Sequence, residues 1–195
     1  MLRFIFGRPA SGKTYTVLEN ISKDVESGRR VILIVPEQFS FESEREDLRK
    51  VGDEAALSVS VLSFSRLFDE VGRYAGGIAG RVLTDSDKII FMSKALKSVA
   101  CELELWSRYA HSVSFAKTML DTVGEFKINA VSPSAVASVS YDTPDGTLKN
   151  KLHDIAVIYK AYDALVGEKF IDPADRLTKL YYMLDNCRFF EGKTV

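Results

Sequence analysis

Residues 7–14 read GRPASGKT and follow directly on an apolar run, LRFIF, at residues 2–6. The spacing matches the phosphate-binding pattern G-x-x-x-x-G-K-[ST]. In such a loop, successive backbone N–H groups wrap a phosphate, and the helix that follows directs its positive dipole end at the same anion. The pattern therefore predicts a nucleotide-phosphate site, which requires a strand before the loop and a helix after it.

The residue types in the loop suit a nucleotide that carries a magnesium ion. Gly12 lets the backbone approach the phosphate, Lys13 reaches the β- and γ-phosphate oxygens, and the Thr14 hydroxyl holds Mg²⁺. Pro9 has no N–H group, but it precedes the donors that matter most. We expect ATP and Mg²⁺ as cofactors, bound by Gly7, Arg8, Pro9, Ala10, Ser11, Gly12, Lys13 and Thr14.

Strand-like and helix-like patterns alternate on both sides of the loop. The run at residues 2–6 predicts a short buried strand, and an apolar stripe predicts a helix over residues 13–26 that stops at Gly28. This alternation is typical of an α/β fold with a parallel sheet. The other predicted elements are a strand at 30–35, a charged helix from about Ser40 and a strand at 57–64.

The pattern changes after the third predicted strand, and from about residue 65 to 166 nearly every segment indicates helix. Apolar periodicity predicts helices near residues 89–99, 112–127 and 147–166, with breaks at Pro133 and at residues 143–146. A further helix is predicted after Asp172, which acts as the N-cap, with Pro173 in the first position. Residues 192–195 (GKTV) then indicate the start of another strand.

The amino-acid composition limits the classes of function that this chain can have. Twenty-six basic residues against 27 acidic ones give a net charge of −1, so DNA contact requires a local basic groove. No run approaches the roughly 20 apolar residues of a membrane span. Two widely spaced cysteines, Cys101 and Cys187, indicate neither a disulfide framework nor a metal site. We therefore expect a cytoplasmic protein without a membrane partner.

Nucleotide hydrolysis needs more than the loop, because a carboxylate must hold the metal ion at the end of a neighbouring strand. No apolar strand run ends in such an acid, and Asp53 and Glu54 follow a polar stretch that indicates a loop. If the strand that begins at residues 192–195 carries the acid, the acid lies beyond residue 195. We expect an N-terminal fragment that binds ATP without efficient turnover, and no catalytic residue is assigned.

Four segments together resemble one protein family. They are FGRPASGKT (6–14), VILIVPEQFSFESERE (31–46), VLSFSRL (61–67) and FIDPADRLTKL (170–180). Their order and spacing resemble the N-terminus of AddB, also called RexB, which is the second large subunit of the bacterial AddAB helicase–nucleases. Ala10 departs from the pattern, because the family and related superfamily 1 helicases usually have glycine at this position.

The resemblance implies a P-loop RecA-like sheet domain, incomplete in this chain and interrupted by a large all-helical insertion. The implied parts are residues 1–64, the insertion at 65–166 and a return to the sheet domain at 167–195. It also implies a role in processing DNA double-strand breaks for recombinational repair, on single strands and duplex ends. An AddA-like helicase–nuclease subunit is the implied partner, and the nuclease domain of the family lies outside these residues.

The resemblance implies DNA contacts for Ser63, Phe64, Ser65 and Arg66, because hydroxyl and guanidinium groups hold phosphate and an aromatic ring stacks on a base. The alternative is that Phe64 belongs to the core and Arg66 is a surface cation. Glu37 and Gln38 either belong to a helicase motif that faces DNA or nucleotide, or cap the next helix. Arg73, Arg81 and Lys88 either line a DNA path or form a solvated face.

One function of a different class fits the loop: a small-molecule P-loop kinase, or another P-loop NTPase. A kinase requires a catalytic acid and a lid over the substrate within this length. The helical segment is very long for a lid, and residues 35–46 (VPEQFSFESERE) have no obvious kinase role.

Overall fold

A computed structural model describes residues 2–38, 58–78, 80–167 and 169–195. The chain forms two compact units, Met1–Gly76 with Met183–Val195, and Gly77–Tyr182. The predicted helix from about Ser40 and the predicted loop at Asp53 and Glu54 lie outside the described residues. The predicted domain limits near residues 64 and 166 stay a prediction.

The first unit contains a parallel sheet in the order β2–β1–β5. Its strands are β1 (Arg30–Val35), β2 (Val59–Ser63) and β5 (Lys193–Thr194). The register pairs Val31 with Val59 and Val35 with Ser63, and β5 joins the other side of β1 through Arg30 and Lys193. The predicted parallel sheet and the strand start near the C-terminus are therefore confirmed.

Helix α1 (Lys13–Glu26) has the predicted limits and the predicted buried face. It ends where Gly28, at φ +75°, donates its N–H to Val25 O at 2.8 Å, a conformation that favours glycine. Ile21 is buried against the sheet, which contributes about 2 kcal/mol by apolar burial. The cluster consists of Ile21, Val31, Val59 and Val61, with Val17, Leu18, Val25, Leu33 and Val35 packed against it.

The prediction of a buried strand at residues 2–6 is wrong. These residues form no strand, and the side chains of Leu2, Phe4 and Phe6 are exposed, with Phe6 87% exposed. Phe4 and Phe6 stack on each other with ring centroids 5.8 Å apart. A strand needs a neighbour for its backbone hydrogen bonds, and in the described sheet β1 already has a strand on either side.

Helix α2 (Phe64–Tyr74) begins directly after β2, so the predicted strand at 57–64 ends one residue early. Its buried side chains include Leu67, Phe68 and Val71, at the i, i+1 and i+4 positions of one helical face. Ser63 is the N-cap, and its Oγ accepts from the N–H of Arg66 at 3.4 Å. Strand β2 therefore ends where a serine favours a helix start.

The second unit is mostly helical, as predicted. Its helices are α3 (Asp85–Ser98), α4 (Val113–Ile128), α5 (Pro133–Asp142), α6 (Thr147–Val166) and most of α7 (Arg176–Leu184). A short parallel ladder, which the helical pattern did not predict, joins β3 (Arg81–Val82) to β4 (Phe170–Ile171). Among the helices of the described residues, none is sufficiently long and apolar to traverse a lipid bilayer.

A buried carboxylate fixes the loop between α3 and α4. Asp154 on α6 is 0% exposed, and its oxygens accept from the backbone N–H groups of Glu104, Leu105 and Trp106 at 2.8, 3.0 and 3.1 Å. Three charge-assisted hydrogen bonds offset the desolvation of the carboxylate. Trp106 packs edge-on against Phe115 on the same core, so this loop is part of the packed unit.

A buried lysine ties α4 to α6 and to the segment before α7. Lys127 is 4% exposed, and its Nζ lies 2.7 Å from both Asp163 and Asp175. Burial lowers the pKa of Lys127, but the hydrogen bonds and the charge attraction of these two carboxylates together outweigh burial, so the pKa is raised and the lysine stays charged. Burial also raises the pKa of Tyr162, whose hydroxyl donates to Asp172 Oδ2 at 2.9 Å.

Candidate nucleotide and DNA site

The first turn of α1 is open to an anion. Its N-cap is Gly12, at φ +84°, which has no side chain to cap the helix, and no acidic residue lies in the first turn. The first helical bond is from Thr16 N to Gly12 O at 3.0 Å. In the described residues, no acceptor is found for the N–H groups of Lys13, Thr14 and Tyr15. These donors and the helix dipole favour a phosphate.

The ammonium of Lys13 lies over its own loop. Its Nζ donates to Gly7 O and to Arg8 O, each at 2.7 Å. A turn closes the loop below it, where Ser11 N donates to Arg8 O at 3.2 Å. The loop that leads into α1 therefore carries a positive charge, which favours an anion at this helix start.

Two small residues, Gly7 and Ala10, contribute to the shape of this loop. A side chain at Gly7 would meet Ser11 Oγ, so the Ser11 side chain would have to move. Ala10 lies in the left-handed region at φ +60°, where an L-residue is strained by about 1 kcal/mol. Glycine, which the resemblance leads us to expect at this position, is the less strained residue in the conformation that Ala10 adopts.

Glu37 accepts a hydrogen bond from the start of α2. Its Oε1 accepts from the backbone N–H of Ser65 in the first turn of α2, at 2.8 Å and 28 residues away. Among the described residues this is a capping contact with α2, whereas the predicted helix near Ser40 lies outside them, and the role of Glu37 in a helicase motif stays a prediction. Gln38 is exposed, and its predicted part in a motif stays a prediction.

The predicted DNA residues lie at the start of α2. Phe64 is 48% exposed, so the alternative in which Phe64 belongs to the core is wrong. Arg66 is exposed and Ser65 is half-buried, while the Ser63 hydroxyl is used as the N-cap. An exposed ring next to an exposed guanidinium is compatible with a single-strand contact.

The loop, Glu37 and the start of α2 lie at one edge of the sheet. Strands β1 and β2 are parallel and end opposite each other at Val35 and Ser63. Helix α1 packs on β1 and is joined to it by a short turn, so the two run antiparallel. Fourteen helical residues span about 21 Å and six strand residues about 20 Å, which places residues 7–14 at this edge.

Three basic residues proposed for a DNA path have acidic partners. Arg73 contacts Glu70 at 2.7 Å, Arg81 contacts Asp87 at 3.0 Å, and Lys88 contacts Asp85 at 2.7 Å. These pairs favour the solvated-face alternative for all three. Within the described part of the chain, no group of three or more metal-binding side chains is present, and the magnesium role of Thr14 stays a prediction.

Comparison with known proteins identifies the family. The family model for the N-terminal part of AddB matches residues 4–195. The chain belongs to this AddB N-terminal family.

Similar proteins include the B subunits of the ATP-dependent helicase/deoxyribonucleases of three bacteria. The subunit of Clostridium acetobutylicum is 36% identical to this chain over 200 residues, and the match covers 100% of this chain. Those of Clostridium tetani and Caldanaerobacter subterraneus are 34% and 33% identical over 98% of this chain. The chain spans only 17% of the length of each of these relatives. The resemblance to AddB drawn from the sequence is confirmed.

Proposed function

We propose that this chain is a nucleotide-binding module of an AddB-type protein, and that it binds Mg-ATP at residues 7–14. One observation supports the proposal most: the first turn of α1 has no side-chain cap and no acid, and the loop that leads into it holds the Lys13 ammonium. From the packing of α1 on β1 we infer that this turn lies at the carboxyl edge of the sheet. Ligands of α/β proteins bind at this edge. Mg²⁺ enters with the nucleotide and is held by the Thr14 hydroxyl.

The sheet is proposed to be part of a RecA-like domain, with residues 65–166 as a helical insertion and 167–195 as the return. Strand β5 supports this proposal, because it lies beside β1 and parallel to it. Because β5 is parallel to β1, it runs toward the carboxyl edge of the sheet. That strand is the proposed place for the acid that hydrolysis requires.

Residues 63–66 are proposed to contact single-stranded DNA. The relatives are named as subunits of an ATP-dependent helicase/deoxyribonuclease. We extend that role to this chain, in an assembly that processes DNA double-strand breaks in the cytoplasm with an AddA-like partner. Few phosphate contacts on a chain of net charge −1 give weak, sequence-independent binding with a shallow salt dependence.

Calorimetric titration with Mg-ATP tests the nucleotide site. The Lys13→Ala variant loses a charge-assisted contact to phosphate, so its affinity is expected to fall by about tenfold to a hundredfold. Lys23→Ala, on the last turn of α1, is the matched control, because Lys23 contacts only Glu19 in the described residues and keeps wild-type affinity. Equal affinities of wild type and Lys13→Ala would exclude the site.

Phosphate release by the same samples separates binding from hydrolysis. The chain alone is expected to show negligible turnover. Robust turnover that Thr14→Ala abolishes would place the catalytic acid within residues 1–195.

A further inference from the structure

Two side chains, Ser63 and Glu37, accept hydrogen bonds from backbone N–H groups in the first turn of α2. Ser63 accepts from the N–H of Arg66 within the same turn, at 3.4 Å. Glu37 accepts from the N–H of Ser65 across 28 residues of sequence, at the shorter distance of 2.8 Å. The first turn of α2 contains no acidic residue of its own, so Glu37 supplies the negative charge that a helix N-terminus favours.

This contact links the ends of two neighbouring strands. Glu37 lies two residues after the end of β1, and Ser65 lies two residues after the end of β2. Because the Ser65 N–H is already donated to Glu37, the exposed groups of this turn are the side chains of Phe64 and Arg66. Their directions depend on how firmly the first turn of α2 is held.

We infer that Glu37 is a positioning residue for DNA. Its carboxylate fixes the first turn of α2 against the end of β1 and so sets the direction of Phe64 and Arg66 toward a single strand. The inference rests on the proposed DNA contact of residues 63–66. A purely electrostatic role makes the opposite prediction, because removing a negative charge near DNA strengthens binding.

Two substitutions separate these roles, since both remove the same charge. Glu37→Gln retains an oxygen that accepts from Ser65, whereas Glu37→Ala removes the acceptor. We expect Glu37→Ala to bind a labelled oligothymidylate about fivefold more weakly than Glu37→Gln. This ratio corresponds to the net free energy of about one hydrogen bond. Fluorescence anisotropy over a salt series measures this, and the ratio is expected to be independent of salt because the charge is the same.

Glu70 provides the matched control. It lies on α2, contacts Arg73 and carries the same charge. Glu70→Ala and Glu70→Gln are expected to bind the oligonucleotide equally well. A difference between them as large as the difference at Glu37 would overturn the inference, because truncation anywhere on α2 would then have the same effect.

Amide hydrogen exchange of Ser65, measured by NMR without DNA, gives a readout independent of affinity. Exchange is expected to be about fivefold faster in Glu37→Ala than in Glu37→Gln. Equal exchange, or equal DNA affinity of the two variants, overturns the inference and leaves the DNA contact standing. Absence of oligonucleotide binding by the wild type overturns the DNA contact, and the inference with it.

Discussion

Two helices begin at the same edge of the sheet, and their first turns differ in whether side chains accept hydrogen bonds from their N–H groups. Helix α1 starts at Gly12 with no side-chain cap and no acid in its first turn. Helix α2 starts at Ser63, which caps it, and receives the carboxylate of Glu37 as well. The chain satisfies donors of α2 with its own side chains and provides no such side chain for the first turn of α1, and the proposed nucleotide site rests on this difference.

The largest effect is expected when an acidic residue is placed at the start of α1, because this change removes the difference between the two helix starts. In Gly12→Asp the carboxylate competes with phosphate for the open N–H groups and repels it, at a cost of about 4 kcal/mol for charges 4 Å apart near a surface. We expect Mg-ATP affinity to fall at least about a hundredfold in a calorimetric titration.

Gly28→Asp is the control for that substitution. Gly28 also has a positive φ, lies at the opposite end of α1, and has no atom within 4 Å of an added Cβ, as is true of Gly12. Backbone strain is therefore similar in the two variants. If both lose affinity equally, strain in α1 and not the occupied helix start explains the loss.

A smaller effect is expected at the start of α2, where capping serves stability. Ser63→Ala removes the hydroxyl that accepts from Arg66 N, at a cost of about 1 kcal/mol in the free energy of unfolding. In a chain of this size the melting temperature falls by about 3 °C. Circular dichroism during heating measures it, with Ser60→Ala, exposed on β2, as the control. A matching loss in Ser60→Ala would contradict the capping role.

The smallest effect is expected at Ala10, which lies in the loop before α1. Ala10→Gly relieves left-handed strain of about 1 kcal/mol in the conformation seen here. Because a nucleotide that binds this conformation finds the same strain relief in the free and the bound protein, Mg-ATP affinity is expected to change by less than about twofold. Ala130→Gly is the control, because Ala130 also has a positive φ, +55°, but lies after α4. Weaker binding by Ala10→Gly would show that the nucleotide selects another loop conformation.

Local patterns predicted the elements around the candidate site. The apolar stripe and Gly28 predicted both ends of α1, and the run at residues 30–35 predicted β1. Such predictions hold because helix periodicity, stop signals and buried-strand composition act over a few residues. The same reasoning failed at residues 2–6, where an apolar run indicates a strand but a partner strand decides whether one forms.

Polar contacts between distant residues were not predictable from the sequence. Lys127 reaches Asp163 and Asp175, and Asp154 reaches the backbone near Glu104, each across more than thirty residues of sequence. No periodic pattern marks them, because charged residues at helical spacing usually face solvent. A buried charge is recognised only when the surrounding packing is known.

The sequence by itself determined helix α1 and the parallel strand beside it, it carries the pattern on which the proposed phosphate-binding loop rests, and four segments identified the family. Those features depend on residue types at fixed short spacings. The tertiary structure decided which helix start is open and which is closed, because the carboxylate that closes α2 comes from Glu37, at the end of a different strand. A hydrogen bond across 28 residues depends on strand order and register, which the short spacings do not contain.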